Sequence, residues 1–147
     1  MYRKYKILIA GAGGIGKAVG LLLADNKDMD VEIFIGDISK EAAEGAASWI
    51  QDGIQLEGFV HPFVMPLDGS NAEMDSILEQ CDILLDCLPG SQAPRMARFA
   101  KANELHYVNL TEYVAETNQV IDIAKDASTG FVLQAGLAPG FINILAN

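Results

Sequence analysis

The chain has 147 residues, of which half are hydrophobic and a fifth are charged. This length suits one domain with a sizeable core, and the composition is typical of a globular rather than a disordered protein. The 20 acidic and 10 basic residues give a formal net charge of −10. Such a charge repels phosphate backbones and anionic lipids, so neither nucleic acid nor a membrane is expected as a partner.

The first residues, MYRKYKILIA, do not predict a targeting segment. Basic residues precede an apolar stretch, but that stretch reaches glycines too soon for a signal peptide. Cys81 and Cys87 lie six residues apart and match no metal or redox spacing. We therefore predict that both cysteines are small buried side chains in a reducing compartment, and that the protein is cytoplasmic.

Short apolar runs alternate with segments of helical periodicity along the whole chain. The apolar runs have the length and composition of strands that are buried on both faces of a parallel sheet. The predicted strands are residues 6–10, 31–35, 63–65, 82–87, 106–109 and 131–133. Residues 136–140, which are rich in glycine and proline, are predicted to form a loop.

Five helices are predicted between these strands. Their N-terminal signals are Ser39 as an N-cap, a capping box of Ser70 with Glu73, and Pro94 in a first turn. The side chains expected to face the core are Ile15, Ala18, Val19 and Leu22; Ala42, Ala46, Trp49 and Ile50; Met74, Ile77 and Leu78; Met96, Phe99 and Ala100; and Val120, Ile123, Ala124 and Ala127.

Strands that alternate with helices through short links indicate a parallel sheet. We predict an α/β fold: a Rossmann-like, doubly wound parallel sheet of about six strands, with helices on both faces.

The segment GAGGIG lies where the first strand turns into the first helix, and it fits the pattern G-x-G-x-x-G. Gly11 permits a tight turn, Gly13 lets the backbone approach a pyrophosphate, and Gly16 allows close packing of the helix. Gly14 and Ile15 complete the turn, whose free amides at the helix N-terminus would bind phosphates. A structural glycine turn without a ligand is the alternative.

Asp37 ends the second strand, 21 residues after Gly16. A carboxylate at this offset accepts hydrogen bonds from the adenosine ribose of a dinucleotide. Ile38 beside it is also expected to bind the cofactor. The carboxylate would repel the 2′-phosphate of NADP. Lys40 could offset that charge, but no arginine follows Asp37. NAD is therefore the predicted cofactor, with NADP less favoured.

Two further loops are candidates for cofactor contact. Asp68 follows the third strand and would contact adenine, or would serve only as a loop acid or helix cap. Cys87, Leu88 and Pro89 follow the fourth strand beside the switch point of the sheet, where they would reach the nicotinamide ribose. Simple packing is the alternative for Cys87.

No catalytic or metal-binding residue can be assigned from the sequence. His61 and His106 have no acidic or serine partner at a telling spacing, so they are predicted to be structural or surface residues. Glu112 and Tyr113 follow the fifth strand and would either contact a substrate or lie in a solvated loop.

The segments DCLPGSQAPRMARFAKANELHYVNLTEY (residues 86–113) and GLAPGFINILA (residues 136–146), behind GAGGIG, resemble the saccharopine dehydrogenase-like family of nicotinamide-dependent oxidoreductases. The resemblance covers nearly the whole chain. It implies an NAD(P)-binding domain over residues 1–135. Residues 136–147 would begin the segment that leads to a substrate domain absent from this chain.

The resemblance also implies an activity for the full-length protein: hydride transfer at a carbon–nitrogen centre of an amino acid such as lysine or saccharopine. Ala138 replaces the aspartate usual in saccharopine-forming members, so the chain looks most like the lysine 6-dehydrogenase branch. Asn109 stands where the resemblance implies an aspartate, so this chain lacks that carboxylate.

The expected partner of the full-length protein is a small-molecule amino-acid substrate, and a homodimer is one expected assembly. Alone, the fragment would bind cofactor without catalysis. The alternative is a non-catalytic, NAD-sensing regulatory module of the ion-transport type.

Overall fold

A single parallel sheet organises the computed structural model, which describes residues 3–146 without the side chains of residues 138 and 139. Its strands are β1 (Lys4–Ala10), β2 (Asp30–Asp37), β3 (Val60–Val64), β4 (Ile83–Asp86), β5 (His106–Asn109) and β6 (Phe131–Val132). They lie side by side in the order β3-β2-β1-β4-β5-β6. The order reverses between β1 and β4, so the connections that leave the carboxyl ends of these two paired strands run in opposite directions and leave a crevice between them.

Helices connect consecutive strands. They are α1 (Gly14–Asp25), α2 (Lys40–Ile54), α3 (Ala72–Gln80), α4 (Ala93–Ala102) and α5 (Val114–Ala124). A 3₁₀ turn over Gly90–Gln92 precedes α4. After β6, a π-helical turn over Leu137–Phe141 leads into α6 (Ile142–Ala146), so the loop predicted for residues 136–140 is wrong. None of the described helices is long and apolar enough to cross a membrane.

Each face of the sheet carries its own hydrophobic core, because successive strand residues point to opposite faces. On one face Ile9 and Ile35 pack with Ile50 of α2. On the other face, Leu8 and Tyr107 belong to a core that also includes residues of α3, α4 and α5. The predicted doubly wound α/β fold is confirmed.

All six predicted strands are present, and the largest difference is at β3. The prediction began at Phe63, whereas β3 begins at Val60 and includes Pro62. Proline lacks an amide hydrogen and cannot donate to a neighbouring strand. It is tolerated because β3 is the edge strand and pairs only with β2.

The predicted inward face of α1 is wrong. Ile15 and Leu22 are 57% and 71% exposed, whereas Gly16 and Gly20 are buried. A Cβ at Gly16 would lie 2.0 Å from the Gly11 carbonyl oxygen, and one at Gly20 would lie 2.5 Å from the Ile50 side chain. The helix approaches its neighbours through glycines, which leaves its larger apolar side chains outside.

Three further helix details differ from the predictions. Trp49 is 47% exposed, since Ala43, Ala46, Ala47 and Ile50 form the buried face of α2. The N-cap of α3 is Asn71 rather than Ser70, and its side-chain oxygen accepts from the Met74 amide across 2.8 Å. Ala127 lies beyond the end of α5.

The other two helix signals agree with the structure. The hydroxyl of Ser39 caps α2 by accepting from the Ala42 amide, and Pro94 lies in the first turn of α4.

Candidate functional site

A glycine turn joins β1 to α1 at the carboxyl edge of the sheet. Gly11 has a φ of +101°, in the left-handed region that side-chain-bearing residues avoid. Its amide donates to the Gly36 carbonyl across 2.8 Å. A Cβ at Gly11 would lie 3.0 Å from the Cys87 carbonyl oxygen, so the turn fits tightly against the loop after β4. The predicted tight turn at Gly11 is present in the structure.

The start of α1 presents a surface of bare amides. Gly13 is the N-cap and supplies no side-chain hydrogen bond to the helix. The amides of the first helical residues have no partner within the helix, and the helix dipole gives them partial positive charge. A Cβ at Gly13 or Gly14 would meet no heavy atom within 4 Å, so both residues border open space. This arrangement fits a phosphate group approaching the backbone closely.

The Asp37 carboxylate joins this turn to the start of α2. Its Oδ2 accepts from the Ala12 amide across 2.9 Å, and its Oδ1 accepts from the Ser39 amide across 3.1 Å. Each oxygen has a second acceptor site. Asp37 also lines a cavity at this edge of the sheet, so its carboxylate can accept further hydrogen bonds from a ligand there.

Two cavities lie along the crevice, and Leu88 lines both of them. The first, of about 350 Å³, is lined by residues that include Asp37, Ile38, Met65, Leu67, Leu88 and Arg95. The second, of about 290 Å³, is lined by residues that include Ile15, Cys87, Leu88, Thr111, Glu112 and Tyr113. The loop that contains Leu88 therefore divides the crevice into two subsites.

The structure thus brings most of the predicted site residues together. Asp37, Ile38, Leu88 and Pro89 line the first cavity, which will be called the β2-side cavity. Ile15, Cys87 and Leu88 line the second, which will be called the β5-side cavity.

The positions of Asp68 and Cys87 give less support to a cofactor contact. Asp68 has an exposed side chain on the loop that borders the β2-side cavity. Cys87 is partly buried and packs against the core beneath α1 and α2. Burial raises the pKa of the Cys87 thiol to about 12, so the thiol is neutral at ordinary pH and suits packing rather than nucleophilic chemistry.

A buried polar network below the crevice was not found from the sequence. Tyr107 donates to Oδ2 of Asp86 across 2.7 Å, and Asn109 donates to the Tyr107 hydroxyl across 3.3 Å. Oδ1 of Asp86 accepts from the Leu88 amide across 3.0 Å. Asp86 therefore positions the loop that divides the two cavities. The available signal was an acidic residue inside the apolar run ILLDCL.

Asp86 is only 3% exposed. Burial raises the pKa of its carboxyl group to about 6, against the opposing effect of hydrogen bonds from Tyr107 and Leu88. The carboxylate faces inward to Tyr107 rather than outward, so it serves as a structural acceptor in this arrangement.

Arg95 is the second residue missed by sequence reasoning. It lines the β2-side cavity from α4, and its guanidinium donates to carbonyl oxygens in the loop that follows β3. Nothing in the local pattern around Arg95 marks it, because the carbonyl oxygens that it binds belong to residues 26 to 29 positions earlier in the chain.

The two histidines lie away from the crevice. His61 pairs with Glu32 across 3.0 Å, and His106 accepts from the Gly130 amide at the start of β5. Across residues 3–146 the His, Cys, Asp and Glu side chains form no group of three or more that could hold a metal ion.

Comparison with known proteins relates this geometry to a family. Residues 7–133 match the family model described as the saccharopine dehydrogenase NADP binding domain. A comparison with curated proteins gives no match.

Solved structures share the fold at low sequence identity. A saccharopine dehydrogenase (L-Glu forming) from Saccharomyces cerevisiae matches with a TM-score of 0.71 and 18% identity, over 97% of this chain and 29% of that one. A quinate dehydrogenase from Corynebacterium glutamicum in complex with NAD matches with a TM-score of 0.68 and 15% identity, over 93% and 46%. A shikimate dehydrogenase from Mycobacterium tuberculosis gives 0.65 and 14%, over 90% and 47%.

The chain thus spans less than half the length of each of these proteins. At such identities the likeness establishes the Rossmann-like fold, whereas the family model covers most of the chain. The protein belongs to the saccharopine dehydrogenase NADP-binding domain family, and is thus a nicotinamide-dinucleotide-binding domain of the oxidoreductase type.

Proposed function

We propose that the crevice binds NAD, and that the chain is the cofactor domain of a longer oxidoreductase that transfers hydride at a carbon–nitrogen centre of an amino acid. The observation that carries the proposal is the bare-amide turn beside the Asp37 carboxylate. The turn would bind the pyrophosphate, and the carboxylate would favour NAD over NADP.

The pyrophosphate would lie against the amides of Gly13, Gly14, Ile15 and Gly16. Open space at Gly13 and Gly14 leaves room for phosphate oxygens, and the helix dipole favours their charge. The acidic protein needs no basic patch for this purpose, because the donors are backbone amides.

The adenosine half would occupy the β2-side cavity. Its walls include the apolar side chains of Ile38, Met65 and Leu67, which suit the flat faces of a purine. Asp37 lies in the same cavity, where its free acceptor sites can take hydrogen bonds from the ribose hydroxyls. The exposed Asp68 carboxylate would contact the adenine edge from the rim.

Charge at this end favours NAD over NADP, although the matching family is described as NADP-binding. A 2′-phosphate would meet the Asp37 carboxylate. The nearby cations are engaged elsewhere: Lys40 is exposed and lies 3.6 Å from Glu44, while Arg95 donates to neutral carbonyl and amide oxygens. Neither is positioned as the forked phosphate ligand that an arginine usually provides.

The nicotinamide half would lie in the β5-side cavity, next to Leu88 and the partly buried Cys87, whereas Pro89 lines the β2-side cavity. Bound NAD supplies the hydride acceptor, and the chain supplies the position and polarity of its surroundings. Glu112 and Tyr113 line the same cavity and would face the substrate. The group that removes the substrate ammonium proton is expected outside residues 3–146, in a following substrate domain.

The amino-acid class of substrate is supported by the family match and by the HYVNLTEY and GLAPG segments, and not by the fold. The same fold occurs in a quinate and a shikimate dehydrogenase. Residues 1–135 would form the cofactor domain, and residues 136–147 would lead to the substrate domain.

Calorimetric titration of the chain with NAD and NADP tests the cofactor assignment. We expect NAD to bind more tightly, and equal affinities would remove the argument from Asp37. Assays of the full-length product with lysine, saccharopine and carboxynorspermidine, followed by nicotinamide absorbance, test the reaction. Binding of NAD without turnover of any amino acid would favour a sensing role instead.

A further inference from the structure

The guanidinium of Arg95 makes four hydrogen bonds. Its Nη2 donates to the carbonyl oxygens of Pro66, at 2.8 Å, and Gly69. Its Nη1 donates to the Leu67 carbonyl oxygen at 3.1 Å and to the Gln92 side-chain oxygen at 3.0 Å. Three carbonyls of one loop, residues 66–69, therefore accept from a single side chain on α4.

This use of the guanidinium has a cost. The Nε atom of Arg95 is buried without a hydrogen-bond partner. An unsatisfied buried donor is destabilising, so the contacts made by the two terminal nitrogens must compensate for it. The guanidinium also lies over the Phe99 ring, 5.7 Å from its centroid, which fixes it against α4. The guanidinium of Arg95 is therefore fixed by the Phe99 ring of α4, and its hydrogen bonds fix the loop of residues 66–69.

The same loop forms a wall of the β2-side cavity. Pro66 and Leu67 line that cavity together with Ile38 and Leu88. Leu67 is 69% exposed, so little packing fixes it from the solvent side. The position of this wall therefore depends on the hydrogen bonds to the carbonyls beneath it.

We propose that Arg95 is the positioning residue of the adenine pocket: it ties residues 66–69 to α4 and so sets the distance between the apolar walls that enclose the adenine ring. This inference rests on the proposed function, since it assumes that the β2-side cavity receives the adenosine half of NAD. Arg95 acts through the loop, because its four terminal contacts already engage protein oxygens.

The test measures how tightly three variants bind each half of the cofactor. Arg95→Met keeps an unbranched stem over Phe99 but removes every donor. Arg95→Lys keeps the charge but lacks the planar fork that reaches several carbonyls. Arg98→Met is the matched control, because Arg98 is exposed on the same helix. Dissociation constants are measured for NAD, AMP and nicotinamide mononucleotide by titration followed with NMR.

We expect Arg95→Met to raise the dissociation constants of NAD and AMP about tenfold. The dissociation constant of nicotinamide mononucleotide should change less than about twofold. Arg95→Lys should resemble Arg95→Met, and Arg98→Met should resemble the unsubstituted chain. Unchanged AMP affinity in Arg95→Met would overturn the inference. An equal loss for both half-cofactors would also overturn it, because it would indicate general damage to the fold.

A second variant keeps the inference testable if Arg95→Met does not fold. Leu67→Ser changes the wall itself at an exposed position. It should weaken the binding of AMP and leave the binding of nicotinamide mononucleotide unchanged. Unchanged AMP affinity in Leu67→Ser would show that the loop is not a wall of the adenine pocket. If the unsubstituted chain bound neither NAD nor AMP, the proposed function would fail first, and this inference with it.

Discussion

Oδ2 of Asp37 accepts a hydrogen bond from the Ala12 amide across 2.9 Å, so the last residue of β2 fixes the turn that follows β1. Asp37 also accepts from the Ser39 amide, next to the start of α2. One carboxylate therefore organises the glycine turn and lines the β2-side cavity. The two roles make separable predictions.

Replacing Asp37 with alanine should reduce the preference for NAD over NADP. Loss of the ribose acceptor weakens the binding of NAD by about tenfold or more. Loss of the negative charge removes a repulsion of the 2′-phosphate and so favours the binding of NADP. Loosening of the turn affects both cofactors, so the ratio of their dissociation constants is the decisive quantity. Calorimetric titration with both cofactors measures it.

Asp82→Ala is the matched control for this ratio. Asp82 also accepts from a backbone amide, that of Lys6 at 2.9 Å, but it lies just before β4 at the opposite edge of the sheet. The control should leave the ratio unchanged. A ratio that is also unchanged in Asp37→Ala would contradict a ribose contact at Asp37.

Replacing Gly13 with valine should abolish NAD binding while leaving the fold intact. The new side chain meets no protein atom within 4 Å of its Cβ position, so it fits the folded chain and occupies the space proposed for phosphate. Gly45→Val, at another open glycine on α2, adds the same side chain away from the crevice. Circular dichroism and calorimetry separate folding from binding. Persistent NAD binding in Gly13→Val would mean that the phosphates lie elsewhere.

The stability of the protein should depend on the ionisation of Asp86. Burial raises the pKa of Asp86 to about 6 in the folded chain, from 3.8. The folded state therefore binds this proton more tightly than the unfolded state. The favourable contribution is fully present below about pH 4 and is lost as the pH rises through about 6.

Asp86→Asn should remove this dependence. An asparagine keeps an acceptor for the Leu88 amide and can donate to the Tyr107 oxygen, while the Tyr107 hydroxyl turns to the Ala93 carbonyl at 3.3 Å. Relative to Asp86→Asn, the unsubstituted chain should lose on the order of 2 kcal/mol of unfolding free energy between about pH 4 and about pH 7. Denaturant titrations across this range measure the difference. Parallel stability curves for the two proteins would refute the role given to Asp86.

Replacing Asn109 with the aspartate expected from the family resemblance should destabilise this chain. Asn109 uses both amide atoms: its nitrogen donates to Tyr107, and its oxygen accepts from the Gln134 amide across 3.1 Å. An aspartate would compete with Asp86 for the single Tyr107 proton, and two buried like charges repel each other. We expect a loss on the order of 2 kcal/mol at about pH 8, and a smaller loss at about pH 5.

Thermal unfolding at these two pH values checks the Asn109 prediction. Asn26→Asp is its control, because Asn26 is exposed and its acceptor oxygen, which binds the Asp28 amide, is retained. A loss in Asn109→Asp that does not change with pH would point to altered shape rather than to charge.

The sequence alone could predict the sheet and the position of the glycine turn, because both depend on local patterns. The bounds of β5, whose sequence is HYVN, were predicted to the residue. The orientation of α1 could not be predicted from hydrophobicity. Glycines 16 and 20 contribute little to an apolar pattern, yet they determine which face of α1 approaches the sheet.

The supporting residues of the site depend on contacts across the chain. Asp86 meets Tyr107 only because β4 and β5 pair in a register that places Asp86 opposite Asn109. Arg95 meets residues 66–69 only because the folded chain brings the start of α4 beside the loop that follows β3. Such pairs leave no spacing signature in a single sequence, whereas GAGGIG and Asp37 do.

The central claim is that a dinucleotide lies with its phosphates against the amides of residues 13–16. Amide NMR spectra of the chain, recorded during titration with NAD, test this claim most directly. The account predicts that the amide signals of Gly13, Gly14, Ile15 and Gly16 shift most, with the Leu88 amide responding beside them. Saturable NAD binding that leaves these amide signals in place would contradict it.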